Sequence, residues 1–196
     1  MKLYDKDIRE PLFDYLEERY GKVRIIEEKQ IGKHRTDVLV VTETFLMGIE
    51  IKSDADSYTR LEGQVKEYNK YFDYNWVVVG TKHAHHIEEH VPPFWGIITV
   101  ERSGDEVDYY ELRKAEANPK CKLKNKLSIL WRRELVNIQE KYHLPSYKQK
   151  SKKFVQEKIL EKIDHDELNL EISRELFDRD YTTIEEDIEN YRKNQK

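Results

Sequence analysis

The chain has 196 residues, 38% of them charged, with a formal net charge of −4 and a mean hydropathy of −0.90, which fits one domain with an appendage or two small ones. No run approaches the roughly 20 apolar residues that span a bilayer, and the N-terminal Met-Lys-Leu-Tyr-Asp-Lys-Asp lacks the apolar stretch of a secretion signal, so the cytoplasm is the expected compartment. The 13 Tyr, 6 Phe and 3 Trp exclude a disordered chain, and the single Cys121 excludes an intrachain disulfide or a cysteine-based zinc site.

Asp5 to Tyr20 places Ile8, Leu12, Tyr15 and Leu16 on one helical stripe and stops at Gly21, with Pro11 kinking the start or marking the first turn. Val23 to Glu28 reads as a strand. If residues 31–34 turn the chain, the following run pairs antiparallel with it and sets Glu28 against Asp37. Asp37 to Val41 and Phe45 to Ile51 are two further short strands, and a two-residue turn at Glu43–Thr44 makes Asp37 and Glu50 cross-strand neighbours. Side chains alternate along a strand, so Lys52 shares the face of Glu50 while Ile51 points into the opposite layer.

Ser53 to Ser57 is polar turn chemistry with good N-cap residues, opening a helix to about Phe72 that buries Leu61, Val65, Tyr68 and Phe72. Trp76 to Gly80 is a short apolar run expected as a buried strand, and a right-handed crossover places it parallel to the strand of Glu50. His83, His85, His86 and His90 fall on a short helix before Pro92–Pro93. His86 and His90 have the four-residue spacing of a shared metal, but without a second ligand cluster they read as solvated side chains. Trp95–Glu101 and Val107–Arg113 form an edge hairpin across Arg-Ser-Gly-Asp.

The character changes near Asn118. Helices are expected over Leu127–Tyr142, Tyr147–Ile163 and about Asp166–Phe177, with Ile184–Arg192 a fourth or a frayed tail. This gives a core over residues 1–115 and a helical C-terminal region over 116–196. From Asn118 to Lys158 there are 12 Lys/Arg against 3 Glu, while Ile159 to Lys196 holds 6 against 12. The basic block, with Trp131, Tyr142 and Tyr147 interleaved, is a candidate nucleic-acid surface; its plainer alternative is a solvated helical face over core aromatics.

The chemistry concentrates at residues 35–52. Asp37, Glu50 and Lys52 interrupt otherwise apolar strands, where unpaired charge is costly. Two adjacent carboxylates repel unless a cation lies between them, and oxygen-only ligation suits Mg²⁺ or Mn²⁺. Their alternative is a structural ion-pair group at a sheet edge.

These residues resemble the PD-(D/E)XK nuclease superfamily, in which an aspartate on one strand is followed by Glu-x-Lys on the next, here Asp37 and Glu50-Ile51-Lys52 with Thr36 where the name has proline. Gln64-Val-Lys-Glu-Tyr68 is similar to the Gln-x-x-x-Tyr motif of RecB-like nucleases. The resemblance spans about residues 5–80. It implies a restriction-endonuclease-like α/β core (helix, three antiparallel strands, helix, parallel strand) carrying a C-terminal helical appendage. It also implies a Mg²⁺- or Mn²⁺-dependent deoxyribonuclease acting in repair, recombination, phage biology or defence. Asp37, Glu50 and the Ile51 carbonyl would hold metal, Lys52 the attacking water, and Gln64 and Tyr68 the DNA backbone or the lysine. A third acid would be Glu28, or Glu10 on the first helix, which lies about 170° from the apolar stripe. Gln64 and Tyr68 also read simply as surface and core. The expected partner is DNA, with homodimerisation compatible with double-strand cutting and the C-terminal helices available to a protein partner. A non-cleaving DNA-binding adaptor that retains the fold is the alternative function.

Overall fold

The computed structural model describes residues 2–104 and 106–180. In chain order these form α1 (Asp5–Tyr20), β1 (Arg24–Ile31), β2 (His34–Val41), β3 (Leu46–Lys52), α2 (Leu61–Tyr71), β4 (Tyr74–Gly80), the short α3 (Thr81–Ala84), β5 (Gly96–Ser103) and β6 (Glu106–Arg113). The helices α4 (Leu123–Ile129), α5 (Arg132–Lys141), α6 (Lys152–Lys162) and α7 (His165–Phe177) follow. The strands make one six-stranded sheet in sequence order. β1, β2 and β3 are antiparallel, β4 and β5 run parallel to β3, and β6 closes the edge antiparallel.

This is a mixed α/β sheet covered on both faces. Residues of alternating parity explain the layers: Val38, Val40, Met47, Ile49, Ile51, Trp76 and Val78 face α1, whereas Leu39, Val41, Leu46, Val77 and Val79 face α2 and the C-terminal helices. β3 is buried along its whole length because both faces are covered. α1 buries Ile8, Leu12 and Leu16, one turn apart. Pro11 lies inside this helix rather than in its first turn, where it forfeits one backbone bond while the buried stripe holds the helix in place.

Several expected boundaries shift. α2 begins at Leu61, not near Ser53, because the polar residues before it are engaged elsewhere. Asp54 accepts from the Leu3 N–H (3.1 Å), and Asp56 binds the N–H and hydroxyl of Ser53. The helix expected over Leu127–Tyr142 is two, α4 and α5, separated at Leu130 and Trp131, and α6 begins at Lys152 rather than Tyr147. The histidine segment is a single helical turn, α3, followed by a 3₁₀ turn at Ile87–Glu89, so His86 and His90 do not share an α-helical face. His90 instead packs on Tyr58, ring centroids 4.0 Å apart. The segment Ile184–Arg192 lies outside the described residues.

The described C-terminal helices share the apolar cluster of α2 and the sheet. Lys126, expected among the nucleic-acid contacts, is buried and pairs with Asp73 at 2.6 Å. Trp131 stacks under Arg179 at 3.7 Å, Tyr147 meets Phe154 edge-on, and Tyr142 packs against the cluster. Among the described residues no helix is long and apolar enough to cross a membrane.

Gly48 fixes how closely α2 approaches β3. A Cβ there would overlap the Phe72 ring and lie 2.8 Å from Tyr68. Gly48→Ala is expected to destabilise the protein by about 1–3 kcal/mol, the usual range for overpacking, read as a lowered urea midpoint at unchanged slope.

Candidate active site

The site is built where the sheet is interrupted. β1 and β2 pair from Arg24↔Val41 to Glu27↔Val38 and again from Lys29↔Thr36 to Ile31↔His34. Glu28 and Asp37 stand opposite one another at the break. Glu28 has a left-handed backbone (φ 53°), which a non-glycine residue rarely adopts. The break exchanges the faces of the hairpin: Ile26 packs toward α2 before it, and Ile31, of the other parity, packs there after it.

Asp37 is thereby released from the ladder and held by three elements. Its N–H donates to the Tyr68 hydroxyl on α2 (3.1 Å), and its carbonyl accepts from Arg9 Nη1 on α1 (3.1 Å). One carboxylate oxygen accepts the Ile51 N–H of β3 (2.8 Å), and the other accepts no hydrogen bond among the described residues. The β2–β3 ladder ends at Val38↔Ile49, in the register that sets Asp37 opposite Glu50.

Glu50 and Lys52 project from β3 toward α2, and Ile51 points to the α1 layer. Lys52 Nζ donates to Glu50 Oε1 (2.6 Å) and to Gln64 Oε1 (3.1 Å), and Tyr68 donates to Glu50 Oε2 (2.8 Å). Thus Asp37, Glu50, Lys52, Gln64 and Tyr68 converge from β2, β3 and α2. Glu50 is 1% exposed and Lys52 5%. Burial, and then repulsion from Glu50, pushes the Asp37 carboxyl up to about 7. Burial also keeps the Tyr68 hydroxyl protonated, well above its ordinary value.

Neither further acid enters this cluster. Glu28 occupies the expected register, but its carboxylate pairs with Arg9 (3.1 Å) and with Arg35. The left-handed kink accounts for this, since it breaks the alternation that would have set Glu28 beside Asp37. Glu10 is exposed, and α1 contributes Arg9 instead. Among the described residues no group of three or more His, Cys, Asp or Glu is placed to hold a metal ion. A cation here would therefore rest on Asp37, Glu50 and a backbone oxygen such as that of Ile51. The donor set fits a hard divalent ion: two adjacent carboxylates whose repulsion is only partly relieved by Lys52, and one carboxylate oxygen without a partner.

Sequence reasoning missed the surroundings. A polar cleft of about 440 Å³ opens on Asp37 and Gln64 and is lined by Gln30, Lys33, His34, Arg35 and Arg60. These cations come from the β1–β2 turn and the start of α2, not from the 118–158 block. Within that block, Lys120 and Lys122 join Lys66 and Lys70 around a different cleft. The only signal in the sequence was Gly-Lys-His-Arg at residues 32–35, a basic turn immediately before Asp37.

A family model described as bacteriophage P4 protein cII matches residues 1–195. The chain belongs to that family. No curated protein matches it. Among solved structures it is similar to Pyrococcus furiosus SfsA in complex with Ca²⁺, at 17% identity and a TM-score of 0.35, over 54% of this chain and 60% of that one. So low a score defines no shared fold, and the chemistry of this P4 cII family member rests on its own residues.

Tyr68 provides a first test of the cluster. Tyr68→Phe keeps the ring but leaves the Asp37 N–H and Glu50 Oε2 without their partner. A loss of about 1–3 kcal/mol in unfolding free energy is expected from a buried polar group left unsatisfied, measured by urea denaturation. An unchanged midpoint would show that the hydroxyl does not organise Asp37.

Proposed function

We propose that this chain is a metal-dependent deoxyribonuclease with a restriction-endonuclease-like core, acting in the cytoplasm on the phosphodiester bonds of DNA. The observation that carries this reading is the convergence of Asp37, Glu50 and Lys52 with Gln64 and Tyr68 in one hydrogen-bonded cluster beside an open cationic cleft. The element order from α1 to β4 supports it, being the helix, three antiparallel strands, helix and parallel strand of the PD-(D/E)XK core.

Asp37, Glu50 and the Ile51 carbonyl would hold Mg²⁺ or Mn²⁺. When bound, such an ion supplies Lewis-acid stabilisation of charge on the scissile phosphate and the leaving oxygen. Tyr68 keeps Glu50 oriented through the 2.8 Å hydrogen bond and, by accepting the Asp37 N–H, holds the two carboxylates in register. Gln64 accepts from Lys52 and fixes the direction of its ammonium. Lys52 then donates to the attacking water and favours its hydroxide form, the proton departing to bulk solvent. Arg9, bonded to the Asp37 carbonyl, supports that strand from the other face of the sheet.

The experiment is direct. Purified protein is incubated with linear, nicked, single-stranded and branched DNA in Mg²⁺, in Mn²⁺ and in EDTA. Cutting of at least one form with metal and none in EDTA is expected; metal-dependent binding without cutting would instead identify a DNA-binding adaptor.

A further inference from the structure

The cleft beside Asp37 has features that the cluster of five residues does not explain. One wall is the turn between β1 and β2, and this turn is braced. The Gln30 amide donates to the Gly32 carbonyl (3.0 Å) and to the His34 carbonyl (2.8 Å). His34 lies against Gly63 on α2, where an added Cβ would come within 3.0 Å of the imidazole. The turn is therefore seated on α2 by a glycine that lets it come close, and it does not hang free.

The opposite wall is the start of α2, carrying Arg60. Neighbouring cations are neutralised: Lys52 by Glu50, Lys66 by Glu62, Lys70 by Glu67, Arg35 by Glu28, and Arg9 by Asp5, Glu27 and Glu28. Lys33 and Arg60 are both exposed, and among the described residues neither side chain makes a hydrogen bond or an ion pair. Two unneutralised cations flank a cleft in a chain whose net charge is −4. The acid inside that cleft, Asp37, already has Arg9 at its own carbonyl. An anion is what the rim lacks.

We propose that Lys33 and Arg60 form a phosphate-binding subsite that holds the DNA strand one or a few phosphates away from the bond to be cut. The inference rests on the nuclease reading and deepens it, because it names the recognised group as the backbone phosphodiester, not a base edge. Contacts of this kind position a strand without reading its sequence. Arg60 offers a planar fork suited to two phosphate oxygens, and Lys33 a mobile point charge. The braced turn keeps Lys33 near Asp37 without requiring a loop to order on binding.

The test is equilibrium binding of fluorescein-labelled DNA, of the form the protein cuts or otherwise binds best, by anisotropy in EDTA across a potassium chloride series. Each phosphate contact contributes roughly −0.7 to −0.9 to the slope of log affinity against log salt. The double variant Lys33→Ala/Arg60→Ala is expected to flatten that slope by about 1.4–1.8 and to weaken binding about 10- to 100-fold at low salt. Lys120→Ala/Lys122→Ala removes the same charge from the other cleft and serves as the comparison. Both pairs are exposed, so thermal melts of each variant should match the wild type. Wild-type binding with an unchanged slope in Lys33→Ala/Arg60→Ala overturns the subsite and leaves the nuclease reading intact. An equal loss in the Lys120→Ala/Lys122→Ala comparison also overturns it, since the effect would then be net charge alone. Wild-type protein that neither binds nor cuts any DNA form overturns both.

Discussion

Lys52→Ala is expected to lower metal-dependent DNA cutting by about 10²–10⁴-fold, the range for losing a positioned proton-transfer group. The lysine ammonium is fixed by Glu50 on one side and Gln64 on the other. The substitution also removes the partner of a carboxylate that is 1% exposed. Leaving one member of a buried pair costs about 3–5 kcal/mol. Loss of activity and loss of fold must therefore be separated. Lys52→Arg keeps the positive charge, but its planar guanidinium cannot reproduce the point contact to both Glu50 and a water. It should melt closer to the wild type than Lys52→Ala does and still cut slowly. Wild-type cutting rates in Lys52→Ala would remove Lys52 from the reaction, and cutting that survives both Lys52→Ala and Asp37→Ala would remove the site.

Asp37→Asn is expected to abolish cutting while stabilising the metal-free protein at alkaline pH. The carboxyl is raised to about 7 in the folded chain, from an ordinary value near 4 when unfolded. A raised carboxyl pKa means that the folded state holds the proton more tightly than the unfolded state does. Its contribution to stability is complete below the unfolded value and is lost as pH rises through the folded one. The window therefore runs from about pH 4 to about pH 7, and at pH 8 ionised Asp37 costs on the order of 2–4 kcal/mol. Asparagine carries no charge, and its amide oxygen can still accept the Ile51 N–H. In EDTA, Asp37→Asn should raise the melting temperature clearly at pH 8 and far less at pH 5. Mg²⁺ or Mn²⁺ should stabilise the wild type at pH 8 and have little effect on the variant, because ligand binding to the folded state adds stability by mass action. A variant no more stable than the wild type at pH 8 would mean that the two carboxylates are not in uncompensated proximity.

Such an exchange of stability for function is expected where like charges are held together for a ligand. It also explains why the site was legible before the fold was. Charged residues at the ends of apolar strands are costly, so Asp37, Glu50 and Lys52 stand out against Val38–Val41 and Leu46–Ile49 by composition alone. Gln64 and Tyr68 were more ambiguous. Tyr68 belongs to the apolar stripe of α2 and is 0% exposed, yet its hydroxyl also serves the cluster. A stripe position with a polar tip does both, and periodicity reports only the first.

Glu28 and Arg9 show where pattern reading stops. The β1–β2 register was readable from the turn, and the observed pairs follow it. The left-handed backbone at Glu28 was not readable, because no periodicity or turn residue marks it; it stands opposite Asp37, whose bonds go to Tyr68, Arg9 and the Ile51 N–H. That kink sends Glu28 to Arg9 and Arg35 and brings the basic turn onto α2. Arg9 lies four residues after Asp5 on a surface helix, where an arginine ordinarily signals nothing more than an i,i+4 pair.

Local periodicity and turn chemistry were enough for the α/β class, the antiparallel pairing of β1, β2 and β3, the face shared by Asp37, Glu50 and Lys52, and the opposite orientation of Ile51, because each follows from alternation over a few residues; the parallel pairing of β5 with β4 was not legible. Folding in space was needed for the rest: the break at Glu28 and Asp37, the late start of α2, the burial of Lys126 against Asp73, and the choice of Lys33 and Arg60 over the 118–158 lysines as the cations beside the site. Each of these depends on which distant partner satisfies a charge or a backbone group, and partners 31 to 53 residues apart leave no periodic trace in a sequence.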